Sequence, residues 1–169
     1  NYNYGNDQYI ASNISVGIHK MRFITGCALL LNMKSLSKTG YFDENIFLYY
    51  EEHDLYYRCI KFGLDIYMID EAEYLHQGTS STKSIYNHEI YINRNWHYCW
   101  SKFYYFKKNY GYFYGIKKTI PNFFRALRKY IFYSLLMKKK QSSLHKAELQ
   151  GLISSYLLKK STKRPAINF

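Results

Sequence analysis

The chain has 169 residues, 24 Lys plus Arg against 12 Asp plus Glu, and a formal charge of +12. That length suits one domain or about half of a larger one. With 47% apolar residues and only two prolines, it can form a packed core, which excludes disorder, collagen and low complexity.

Residues 1–19 are polar and aromatic, carry Gly5 and Gly17, and read as loop. Residues 22–32 form an apolar run of strand length, suited to a strand buried on both faces. Gly26 inside it marks a bulge or the close approach of another group to the backbone. A short helix is expected over 33–39, ended by Gly40 as a left-handed cap. Residues 41–44 are turn-like and 47–50 extended. A helix follows over 51–62, with Gly63 as its stop. Residues 64–70 alternate like a strand, and Glu73 to His76 form a second short extended piece. The Gly78 to Thr82 stretch reads as a flexible loop.

From about residue 85 the chain becomes helical and basic. Helices are expected over 85–108, over 121–139 with Pro121 in the first turn, and over about 143–160 capped by Ser142 or Ser143. The boundary near residue 84 coincides with a switch of charge. Residues 1–90 hold 7 basic and 11 acidic side chains, and residues 91–169 hold 17 basic and one acidic. The positive excess fits an acidic partner: nucleic acid, an anionic lipid surface or a phosphorylated substrate.

Cys27, Cys59 and Cys99 are odd in number and make no CxxC, so they read as buried thiols in a reduced compartment. The 21 tyrosines accompany many Asn, Lys and Ile, which an AT-rich coding bias explains without any stacking site. No apolar stretch approaches the ~18 residues of a membrane span. No signal peptide is read. The chain opens on Asn1-Tyr2-Asn3-Tyr4 rather than Met, and reads as the interior of a longer protein.

Glu51-Glu52-His53-Asp54 is the densest acidic cluster and sits where an extended segment enters a helix. Glu51, Asp54, Leu55 and Arg58 share a helix face at i, i+3, i+4, i+7 spacing. Two readings stand. The carboxylates are first-turn charges favoured by the helix dipole, with Arg58 paired to one of them. Or one of them is a general base, since adjacent carboxylates raise each other's proton affinity. His76 follows a strand and precedes a glycine-containing loop, a place where α/β folds hold ligands.

Several ordered motifs carry a resemblance. They are Thr25 to Leu31 around Gly26, Gly40-Tyr41-Phe42-Asp43-Glu44, Phe47 to Leu55, Arg58, Gly63, His76 and Tyr91-Ile92-Asn93-Arg94-Asn95-Trp96. Together they resemble the C-terminal half of the family 2 inverting glycosyltransferases, in their rhamnosyltransferase-like and galactofuranosyltransferase-like branch. The resemblance covers about residues 20–105, and more weakly the tail at Gly151-Leu152.

The resemblance implies an α/β fold, the C-terminal half of a GT-A (nucleotide-diphospho-sugar transferase) domain over 1–84, followed by an aromatic and basic helical region over 85–169. It implies a nucleotide-diphospho-sugar donor and a saccharide or lipid-linked acceptor, in cell-surface polysaccharide or glycolipid synthesis. Glu52 maps to the catalytic base, where the family usually has Asp. Glu51 maps to the acidic residue before it and Asp54 to the one before Leu. The base is therefore Glu52 or one of these neighbours. Gly26 borders the donor sugar or the acceptor, and Arg94 approaches the diphosphate or shapes the acceptor site. His76 matches a ligand of a divalent metal, Mg or Mn. The other ligands, an Asp-x-Asp, are expected outside this segment, since the chain contains none. By itself the segment is expected to be inactive.

On the 121–139 helix, Phe123, Phe124, Leu127, Ile131, Leu135 and Leu136 fall mainly on one side, with Arg125, Arg128, Lys129 and Lys138-Lys139-Lys140 around them. This suits either packing on the catalytic domain or lying on an anionic membrane surface. The expected location is cytoplasmic, peripheral on the inner face of the cell membrane. Nucleic-acid binding and a non-catalytic membrane-associated module are the competing classes. The first lacks any accompanying RNA-binding motif.

Overall fold

The computed structural model describes residues 17–24, 26, 28–73 and 87–165. These fall into two compact units. The first comprises the described residues up to Asp43 and those from Glu51 to 73; the second comprises Glu44–Tyr50 and the described residues from 87 on.

In the first unit, β1 (Ile18–Met21) pairs antiparallel with β2 (Ile66–Ile69), Ile18 opposite Ile69 and Met21 opposite Ile66. Helix α1 (Met33–Leu36) begins at Asn32, whose side chain accepts from the Ser35 amide at 3.1 Å. Helix α2 (Glu51–Lys61) has Glu51, Glu52 and Asp54 in its first turn and Arg58 and Lys61 in its last, the arrangement the helix dipole favours. It stops where expected. Gly63, at φ +71°, donates to the Ile60 carbonyl, and Leu64 donates to that of Cys59, closing a Schellman cap. Leu55, Tyr56 and Cys59 bury one side of α2 against Met21, Leu36 and Ile66, with Phe23, Ile24, Leu29 and Leu31 packed around them.

The second unit is a helical bundle. Helices α3 (Asn87–Tyr110), α4 (Tyr112–Leu135) and α5 (Lys139–Tyr156) each pack on the other two. Gly111, at φ +96°, breaks α3 from α4. Along α3, the rings of Trp96, Trp100 and Tyr104 stack at helical spacing, with interplanar angles of 12° and 14°. The segment 44–50 lies on α3, where the Ser101 hydroxyl donates to the Leu48 carbonyl at 2.8 Å. The residues after α5 lie on α3 too. The Trp100 indole donates to the Lys159 carbonyl, and His97 is held between Ser161 and Lys163.

This architecture overturns the α/β GT-A expectation. Among the described residues there are five helices and a single two-stranded sheet, and the larger core is a helix bundle. The expected buried strand over 22–32 is not found among the described residues of that run. A strand buried on both faces needs neighbouring strands and cover on each face. Here Phe23, Ile24, Leu29 and Leu31 turn onto the α2 core individually, and Leu30 is fully exposed. The apolar run is satisfied by side-chain packing without a ladder. Residues 18 and 19, read as loop, open β1 instead.

Two helix starts also differ. Pro121 lies in the interior of α4, not its first turn, because the helix already runs from Tyr112 and buries Gly115 and Thr119 ahead of it. It withholds the amide that would bond the Lys117 carbonyl. Helix α5 starts at Lys139, not near Ser143. The Ser143 hydroxyl turns back to the Lys140 carbonyl, and the Ser142 hydroxyl meets that of Ser134 at 2.7 Å, so neither caps. The boundary near 84 lies outside the described residues.

Candidate functional site

The site of interest is the acidic first turn of α2. The helix places Glu51 and Glu52 about 100° apart around its axis, and Tyr56 one turn beyond Glu52 on the same face. Both glutamates are half-buried. One carboxylate oxygen of each, Oε2, is sealed from solvent and has no hydrogen-bond partner among the described residues; so is the Tyr56 hydroxyl. Buried polar groups are ordinarily paired, so three such oxygens on two successive turns mark this end of α2 as the candidate site.

The electrostatics follow from that burial. Desolvation raises the Glu51 pKa above the ordinary glutamate value. A hydrogen bond to its own amide opposes this, and the Glu52 charge adds to it. Burial raises the Tyr56 phenol too, with Glu52 contributing. The His53 imidazole, against the Phe23 ring at 4.2 Å, is pushed down to about 4 by burial and is neutral near pH 7.

The structure brings Gly26 and Glu52 together, two residues singled out in separate motifs. A methyl at position 26 would lie 3.6 Å from Glu52 Cδ and 3.7 Å from Oε1. Gly26 is exposed, so the carboxylate is approached across a backbone without a side chain.

Asp54 has a different job. It is fully buried and accepts from Arg58 Nε at 3.0 Å. Arg58 spends its other donors on the carbonyls of Thr39, Gly40 and Tyr41, at 2.7, 2.8 and 2.5 Å. The pair therefore clamps the turn after α1 onto α2. Glu51 and Glu52 are left as the carboxylates with unmatched oxygens.

Arg94 sits on α3 in the second unit. Its Nε donates to the Tyr49 hydroxyl at 2.7 Å, and its guanidinium lies 6.0 Å from that ring centre. Tyr49 and Tyr50 both adopt left-handed backbone, φ +64° and +69°, which is strained for bulky residues. Their rings rest against Tyr98 and Tyr105, which with Arg94 hold the conformation.

His76 lies outside the described residues. Among those described, no group of three or more His, Cys, Asp or Glu side chains is placed to hold a metal ion. In the sequence, nothing assigns His53 a role within the acidic cluster, and the signal for Tyr56 is its i, i+4 spacing from Glu52.

No family model, curated protein or solved structure matches the chain. Among the described residues, no helix is long and apolar enough to cross a membrane.

Proposed function

We propose that the first turn of α2 supplies the general base of an inverting glycosyl transfer. Glu52, with Glu51 beside it, takes the proton of an acceptor hydroxyl on a saccharide or lipid-linked acceptor. The freed oxygen attacks the anomeric carbon of a nucleotide-diphospho-sugar. The bond from that carbon to the diphosphate breaks, and the diphosphate leaves with the electron pair. The setting is the cytoplasmic face of the cell membrane, in polysaccharide or glycolipid synthesis.

The observation that carries this reading is the juxtaposition of Gly26 with Glu52, whose carboxylate keeps one sealed oxygen without a partner. The ordered motifs of the sequence support the same roles. The reading rests on those motifs and on the carboxylates, and it does not include an α/β sheet fold, which the described residues lack.

The test is Glu52→Gln in the native protein that carries this chain. Sugar transfer is expected to fall about 10²–10⁴-fold, the usual contribution of a positioned base. Binding of the sugar nucleotide should be unchanged. Full turnover in the variant would remove Glu52 as the base.

A further inference from the structure

We infer that the outward face of α4, continued by the α4–α5 corner, is a docking surface for an anionic lipid bilayer. The inference does not depend on the transferase reading.

Helix α4 is apolar on two opposite sides. Its buried residues Gly115, Thr119 and Ala126 face the bundle. At about 100° per residue, Phe113, Phe124, Ile131 and Leu135 lie within about 40° of one another, roughly opposite that buried side. Their exposures are 87%, 61%, 49% and 79%. Folding has thus left large apolar side chains in water along the whole helix, where an ordinary surface helix would be polar. The stripe ends in the turn after α4, where Leu136 and Met137 are exposed, Met137 by 86%. Met137 occupies a left-handed position, φ +54°, and closes a Schellman cap in which Lys138 donates to the Tyr133 carbonyl. That geometry turns the chain sharply and leaves the Met137 side chain in solvent at the corner.

The surroundings of the stripe select the occupant. Lys117 lies within the arc of the stripe, Arg128 and Arg125 follow along one side of it, and Lys138, Lys139 and Lys140 follow the corner; all six are exposed. Helix α4 and this corner contain no acidic residue. The one acid after residue 90, Glu148, is mostly buried and faces His145 and Arg125. An apolar stripe whose charged neighbours on α4 and the corner are all cations matches the acyl boundary and the phosphate layer of an anionic bilayer together. A second copy of this chain would bring two cationic rims into contact. A nucleic acid would satisfy the rim and find rings at Phe113 and Phe124, but the stripe's C-terminal half, Ile131, Leu135, Leu136 and Met137, is aliphatic, exposed and offers no ring for base stacking.

Flotation of the full chain with phosphatidylcholine vesicles, with and without phosphatidylglycerol, tests this. Flotation is expected with the anionic vesicles only, and it should weaken in high salt. The Phe124→Trp variant should shift its indole emission to the blue on the same vesicles, relative to the parent chain. The Leu135→Glu/Met137→Glu variant changes only exposed positions. It should lose flotation by about tenfold or more with an unchanged circular dichroism melt. Equal flotation with neutral vesicles, an unmoved emission in the Phe124→Trp variant, or full retention by the double variant would overturn the inference. So would a gel shift with RNA, or a dimer in sedimentation that the double variant dissolves, if either occurs without vesicle binding.

Discussion

Gly26 faces Glu52 closely enough that a methyl on the first would touch the carboxyl of the second. Gly26 is exposed and shows no left-handed backbone torsion, so Ala fits its conformation. Gly26→Ala is therefore expected to leave thermal stability within about 0.5 kcal/mol, as for surface changes generally. If Glu52 is the base of the proposed transfer, the methyl would stand in the acceptor's approach, and transfer should fall, mainly through KM for the acceptor. Paired melting curves and acceptor titrations separate the two effects. An unchanged KM would mean the acceptor comes from elsewhere.

The sealed carboxylate oxygens make a stability prediction of opposite sign. The Glu51 pKa is raised by burial, so its charged form is disfavoured in the fold relative to the unfolded chain. The neutral amide of Glu51→Gln removes that penalty at pH 7. The variant should melt at a higher temperature than the parent, while transfer should not improve. A lower melting temperature would show that the charge holds the fold together.

Asp54 should respond in the reverse way. Its carboxylate is fully buried on Arg58, and Arg58 in turn binds three carbonyls of the 39–41 turn. Asp54→Asn keeps the shape and removes the charge, leaving the guanidinium without its anion. A loss of about 3 kcal/mol or more is expected, as when one partner of a buried pair is deleted. Denaturant unfolding measures it. A near-neutral result would return Asp54 to the candidates for the base.

Gly151 tests the bundle. A Cβ there would lie 2.3 Å from the Trp96 carbonyl oxygen on α3, a backbone atom that cannot swing aside. Ala adds about 1 kcal/mol of helix propensity over Gly, but α5 must then move away from α3. Overpacking of this kind costs about 1–3 kcal/mol. Gly151→Ala should be destabilising on balance. Gly115→Ala should be milder, because the nearest atom, at 2.9 Å, belongs to the Phe103 ring, which can tilt. Reversal of that order would contradict the assignment of α3–α5 contact as the tighter one.

These residues also show what the sequence made legible. The limits of α2 were readable because each has a local cause, a run of first-turn acids at one end and Gly63 at the other. The Asp54–Arg58 pairing was readable from its i, i+4 spacing. The proximity of Gly26 to Glu52 was not legible, since no local rule links positions 26 residues apart and the resemblance gave each a role separately. The expected sheet failed because the 22–32 run carries no alternation to distinguish a ladder from irregular packing on a helix. The start of α4 was missed because Pro121 is a helix-start signal, and the upstream pattern through Gly115 and Thr119 buries small residues rather than large apolar ones.

His97 gives a pH prediction confined to the helical unit. It is fully buried, and its Nε2 bonds the Lys163 carbonyl at 2.9 Å. A carbonyl only accepts, so Nε2 carries the proton and Nδ1 accepts from the Ser161 hydroxyl, also at 2.9 Å. The neutral ring thereby ties the 161–163 segment to α3. Burial lowers its pKa most; the bond to Lys163 opposes this, and the charges of Arg164 and Lys163 add to the lowering. The unfolded chain then binds a proton near pH 6.5 that the folded chain refuses. Stability from this group is complete above pH 6.5 and declines as the pH falls from there toward the lower folded pKa. The slope is at most about 1.4 kcal/mol per pH unit. His53 acts in the same direction, between 6.5 and about 4, and Glu51 in the opposite one, but both lie in the other unit. His97→Gln retains a donor and an acceptor and cannot titrate. In melts from pH 7 to 5 it should flatten the decline by up to one proton, whatever its effect at pH 7. An unaltered slope would show that His97 is already charged in the fold.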